Sequence, residues 1–296
     1  MGLPGVDRSI GILRQQLYRQ LRTMVTGDEP AVRNLTDPFV DEAGLFGPDS
    51  ITWRVHADGA MFVGGIRALF LQTMHPLAMA GVADHSDYRA DPLARLATTA
   101  RYLGVTTYGT TAQAEAAIAA VHRVHRRVVG TAPDGRFYSA NDPHLRSWIH
   151  NALIDSFLRS YQRYGGARLT PEEADRYVAE NAVLAERFGC DSTVESVAEL
   201  RAWLRNVRPE LVVGPQARTA VRFLLSPPLP IAARPAYAVL TGAAIGLLPA
   251  WVRRALWLPV PPLLEPFAVR PAAWTLTRTI DWAMRTPLDQ PDLAAS

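Results

Sequence analysis

Seven histidines, at positions 56, 75, 85, 122, 125, 144 and 150, are the plainest candidates for chemistry in this 296-residue chain. No two have the i, i+4 spacing of a zinc-binding helix, and HExxH is missing. His125 differs from the others in its neighbours. In residues 110–130, TTAQAEAAIAAVHRVHRRVVG, Ala114, Ile118, Val121, His125 and Val128 recur at steps of four, three, four and three. That is the spacing of a buried helical stripe, so His125 stands where Leu or Ile is expected. His122, one turn earlier, falls at the stripe's edge. An imidazole on the core face of a helix can hold a metal or haem iron from one side. It can equally be a core histidine satisfied by a backbone carbonyl.

A second group lies in residues 59–83, which contain no acid and only Arg67, Gln72 and His75 as strongly polar side chains. Arg67 and His75 are eight residues apart, which on one continuous helix gives them a common face. In a dry core both need partners. For Arg67 these are an intraprotein carboxylate such as Asp87 or Asp155, or an anionic group such as a haem propionate. Other classes of chemistry find no support. No serine stands in a GxSxG elbow, and Cys190 is the single cysteine, so no internal disulfide or Cys-based metal centre can form. The net charge of +3 comes from arginine alone, with no basic run interleaved with aromatics, so no nucleic-acid partner is expected.

The elements that must position these residues read as helices. A first amphipathic helix spans 8–26. Asp49-Ser50 caps a short helix ending at His56, and an apolar helix runs from about 59 to 74. Asp91-Pro92 opens a helix over 93–103 with Leu96, Thr99 and Leu103 on one face and Arg95 and Thr98 adjoining, and residues 104–109 end it. The His125 helix and a turn-rich link over 130–142 follow. Asp142-Pro143 starts a long helix to Tyr164, in which His150, Ile154, Phe157 and Tyr161 form a row and Asp155 is buried by pattern. Thr170 begins a capping box into 174–188. Further helices span 194–207, 215–225 and 271–284, ahead of a tail expected to be disordered. Strand patterns are scarce. The reading is an all-α, single multi-helix domain: an N-terminal helix and linker over 1–46, a helical domain over 47–225 that carries the candidate residues, and a Pro/Trp-rich extension over 226–296 packed on the core. That extension caps the core, forms an oligomer contact or lies on a membrane surface through Trp251, Trp257, Arg253 and Arg254. Without a secretory signal or a spanning segment, a cytoplasmic location with peripheral membrane contact through 226–260 is expected.

The segments GPDSITWRVHADGAMFVGGIRALFLQTMHP, ADHSDYRADPLARLATTARYLGVTTYG, VHRVHRRVVG, WIHNALIDSF and RYVAE together resemble the DUF2236 family. This family includes latex-clearing rubber oxygenases and the mycophenolate-pathway oxygenase, and the likeness runs from about residue 47 to 213. The resemblance implies an all-helical, globin-like core holding a b-type haem on a proximal histidine, here His125. It also implies a distal Arg and Thr, here Arg95 and Thr99. Two departures stand out: Thr98 occupies the position where latex-clearing enzymes can place a lysine, and residues 59–83 offer no counterpart to their distal glutamate. The distal site would then be open, water-bound or differently ligated, with His75, His56 and His150 as further groups near it. The implied activity is oxidation by O2 of a hydrophobic, isoprenoid-like substrate, through oxygen insertion or C=C cleavage, in a pocket of Met61, Phe62, Leu69 and Leu103. Two other readings stay open. One is a cofactor-free hydrophobic-ligand or membrane-associated binding protein. The other is a non-haem iron or zinc site gathered from His56, His75, His125 and His150.

Overall fold

Residues 44–86, 92–258 and 264–284 are described by a computed structural model of the protein, with backbone alone for 92–97. The expected helix over 8–26, the Asp91 cap, Asp87 and the C-terminal tail lie outside the described residues. Helix starts coincide with the capping signals. Ser50 accepts the Trp53 N–H at the start of α1 (Ile51–His56), and the apolar α2 (Ala60–Gln72) follows. Pro76 opens α3 (Pro76–His85), and α4 spans Pro92–Tyr108. Thr110 and Gln113 form a reciprocal capping box on α5 (Thr111–His125). A small antiparallel hairpin, β1 (Val129–Thr131) with β2 (Phe137–Ser139), leads into α6 (Pro143–Tyr164), which Asp142 caps. Thr170 and Glu173 box the start of α7 (Pro171–Arg187). The chain continues through α8 (Val197–Asn206), α9 (Pro215–Leu225), α10 (Arg234–Leu247), α11 (Ala250–Ala255) and α12 (Arg270–Met284). The fold is all-α apart from the hairpin.

The α2–α6 pair is the spine of the molecule. Gly64 lets the two helices approach: a β-carbon there would lie 2.7 Å from Phe157 Cδ1 and 3.2 Å from the Ser156 carbonyl. Gly65 has no such neighbour. The apolar circumference of α2 is explained by burial on several sides. One side meets Trp148, Ala152, Val252 and Leu256, and another meets Tyr164, Ala243, Ala244 and Ala273. Beyond α6, α1, α7 and α8 close a further cluster around Phe157, Tyr177 and Leu200. No helix among the described residues is long and apolar enough to cross a membrane.

Four expectations need correction. α4 runs on through Gly104 to Tyr108, because Thr106 and Thr107 are buried against their neighbours and packing outweighs the roughly 1 kcal/mol that glycine costs in a helix. α5 stops at His125 rather than near Gly130, since the chain turns there into β1. The link over 130–142 contains the hairpin, whose signal was Asp134-Gly135, with Gly135 at φ 85°. Finally, α2 ends at Gln72 and His75 is the extended N-cap of α3, so Arg67 and His75 do not share a helix face.

Candidate functional site

His125 is the last residue of α5 and is half-buried. Its ring stands edge-on to Phe188, with centroids 6.2 Å apart. Phe188, just past α7, also meets His122 at 5.2 Å, Tyr102 of α4 at 6.1 Å and the Arg146 guanidinium of α6 at 5.9 Å. His122 has partners: its Nδ1 lies 3.2 Å from Asn141 Oδ1 and 3.2 Å from an Arg146 nitrogen. His125 differs. Its Nδ1 is buried and finds no hydrogen-bond partner among the described residues. Burial first, then repulsion from His122 and Arg146, holds His125 below the ordinary imidazole pKa, and the Ala140 carbonyl opposes this in part. The ring is therefore neutral at pH 7, the form that can ligate a metal. The expected stripe is buried only over its first half. Ala114 and Ile118 are inside, where Phe46 and Leu184 cover the helix, while Val121, His125 and Val128 are half-buried.

α4 and α5 pack against each other and are joined by the short Gly109-Thr110 turn. Arg95 and His125 each lie roughly 20 Å of helix rise from that turn, toward the far ends of the two helices. The side chain of Arg95 lies outside the described atoms. Thr98 and Thr99 are exposed, so Thr99 does not continue a core stripe from Leu103. α4 packs on α1 and α5 through its C-terminal half instead.

The other candidate residues are placed apart from His125. His56 is hydrogen-bonded on both ring nitrogens, to Thr107 Oγ1 at 2.9 Å and Tyr177 Oη at 3.1 Å, and so ties α1 to α4 and α7. Burial, then repulsion from His150, pushes its pKa down to about 3. His150 is pushed down to about 4 by burial, which the Asn181 backbone partly offsets. His75 is buried beside Trp148, and neither ring nitrogen has a hydrogen-bond partner among the described residues. Glu210 Oε2 is 3.5 Å away, too far for a good bond, and bonds His144 at 3.0 Å instead. Arg67 is fully buried and donates to Asp155 Oδ2 at 2.8 Å, Ser156 Oγ at 2.7 Å and the Leu247 carbonyl at 3.2 Å. This is the intraprotein partner foreseen for it. His56, His75, His125 and His150 do not converge, and no group of three or more metal-ligating side chains is found among the described residues. The expected pocket is also divided: Met61 and Leu103 pack in the α1–α7 cluster while Phe62 packs against α10.

The two strongly depressed histidines set a pH dependence. Each stays neutral in the fold but protonates near 6.5 when unfolded, so stability falls as pH drops below 6.5 toward the folded values. Between pH 7 and pH 5 each should cost roughly 2 kcal/mol. Urea denaturation at the two pH values checks this: His56→Gln should lose about 2 kcal/mol less than the parent chain on acidification. An unchanged pH dependence would remove His56 from the effect.

Residues 53–279 match the family described as ER-bound oxygenase mpaB/B'/Rubber oxygenase, catalytic domain. The chain belongs to this family. The match covers most of the sequence and extends past residue 225 into the Pro/Trp-rich region, whose α10 packs on α2. No curated protein and no solved structure gave a match. Membership supports oxygenase-type chemistry, an oxidoreductase function. Around His125, sequence reasoning missed Phe188, Arg146 and Asn141. Each lies far from His125 in sequence or on another element, and no local pattern signals the encounter. Tyr177 and Thr107, the partners of His56, were missed for the same reason.

Proposed function

We propose that this oxygenase-family chain is a haem b oxygenase that uses O2 on a hydrophobic, isoprenoid-like substrate, with His125 as the iron ligand. The observation that carries the reading is the buried His125 Nδ1, which is neutral and without a partner in a chain of this family. Haem would supply the redox-active iron that protein side chains lack. The chain's own part is to hold the ring neutral, to wall it with Phe188 and to present polar groups from α4. Arg95, Thr98 and Thr99 are the donors assigned to that face, where hydrogen bonds to developing negative charge lower the barrier. Thr99→Ala should retain hemin and slow turnover by roughly a hundredfold, the cost of losing one such donor. Single-turnover kinetics on the reconstituted protein measure this, and unchanged turnover takes Thr99 out of the mechanism. His75, with both nitrogens unpartnered, is retained as a further polar group of the reading, while His56 and His150 serve the fold.

Peripheral membrane contact through 226–260 is part of the same proposal. Ile231 is 80% exposed and Trp257 is 83% exposed, the latter on a left-handed backbone at φ 56° near Arg253 and Arg254. Exposed apolar side chains beside cations suit a lipid interface. Flotation with phosphatidylcholine vesicles should recover the parent chain and lose most of Trp257→Ser. Equal recovery of the two sinks this contact.

A further inference from the structure

A cavity of about 250 Å³ opens between α2, α6, α8 and α11, away from the residues that surround His125. Five arginines line it: Arg67, Arg159, Arg201, Arg205 and Arg208. A single carboxylate, Asp155, stands among them, and it already accepts from Arg67 at 2.8 Å and Arg159 at 2.8 Å. The remaining three guanidinium groups have no acid in the lining. Arg208 lies over the Trp251 ring, 4.6 Å from its centroid. Arg201 and Arg205 are one turn apart on α8, and their side chains make no hydrogen bond or ion pair with any of the described residues. Like charges at that spacing repel, and nothing in the lining relieves them.

A second observation points the same way. Trp148 also lines the cavity, is 1% exposed, and its indole N–H has no acceptor among the described residues. An indole nitrogen only donates, as a guanidinium does, so every unmet group here asks for an acceptor. The rest of the wall is apolar, with Leu71, Leu204 and Leu211. We propose that this cavity binds the anionic headgroup, phosphate or carboxylate, of an apolar molecule. Arg201 and Arg205 supply paired, charge-assisted donors from one helix face. Trp148 donates its N–H from the buried end, and Trp251 with the leucines receives the first part of the apolar chain. The volume suits a headgroup, so the remainder of the ligand extends outside.

The test uses the full chain without hemin, so that its result is independent of the haem reading. The probes are inorganic phosphate, dodecyl phosphate below its micelle concentration, and phosphatidylcholine vesicles with and without phosphatidate. Tryptophan fluorescence reports the first two, because Trp148 and Trp251 line the site, and flotation reports the third. Dodecyl phosphate should saturate, and Arg201→Gln/Arg205→Gln should bind it at least roughly tenfold more weakly. Both arginines are exposed, so this variant should fold, which circular-dichroism melts verify. Arg218→Gln/Arg222→Gln on α9 makes the same change in net charge and should bind like the parent. Inorganic phosphate binding as tightly as dodecyl phosphate assigns a free anion, and phosphatidate-dependent flotation assigns a bilayer lipid. Each supports the site when the α8 variant loses it. Equal binding by the two double variants, or no response to any probe, overturns the proposal.

Discussion

His125→Ala should fail to hold hemin, while the parent chain, as isolated or after hemin addition, shows a Soret band. On the proposed reading the variant would lose the ligand assigned to the iron, so hemin affinity should fall by more than roughly a hundredfold. The substitution sits on a half-buried ring at a helix end, where the loss of packing is small, and the fold should survive. His125→Gly with added imidazole separates ligation from folding, because a free imidazole entering the vacated space should restore the band. Substituting His122, which already has Asn141 and Arg146 as partners, should leave the spectrum nearly unchanged. Full hemin occupancy in His125→Ala would end the assignment. A colourless parent chain that cannot be reconstituted would favour the cofactor-free binding protein over the oxygenase reading.

Asp155→Ala should destabilise the fold by about 3–5 kcal/mol, the usual result of leaving a buried charge without its partner. Arg67 is fully buried, and among the described residues its guanidinium has only Asp155 as an anionic neighbour in hydrogen-bond contact. Burial, the largest influence on it, already pulls its pKa down, and Asp155 opposes that pull. Without the carboxylate, Ser156 Oγ and the Leu247 carbonyl remain as acceptors, and Arg159, released from Asp155, adds repulsion. The double replacement Arg67→Met/Asp155→Leu should recover most of the loss, since apolar side chains of similar size often replace a buried ion pair at little net cost. Urea denaturation of the three variants gives the comparison. A single variant within about 1 kcal/mol of the parent would show that water reaches the pair.

Much of the helical layout was legible in local signals. Thr170 with Glu173 and Asp142-Pro143 each announce a helix start within one turn of sequence, and each helix begins there. The Asp155 position was recognisable as buried because helical periodicity needs only neighbours three and four residues away. His125 stood out in the same way, and the likeness to an oxygenase family rested on the segments that carry its motifs. The stop of α5 was not legible, because a helix ends early when the chain is drawn into another contact, here the hairpin over Val129–Ser139.

The sequence by itself determined where several helices start and that residues such as Asp155 are buried, because these depend on interactions within a turn or two, whereas the His125 stripe is buried only over its first half. Only the tertiary structure decided the partners. Arg67 meets Asp155 across 88 residues and His56 meets Tyr177 across 121, whereas His75 and the His125 Nδ1 meet no hydrogen-bond partner among the described residues. The arginine-lined cavity likewise exists only where four separate helices meet. A polar group's partner is set by which helix faces pack together, and that choice is made by the whole core at once rather than by any one segment.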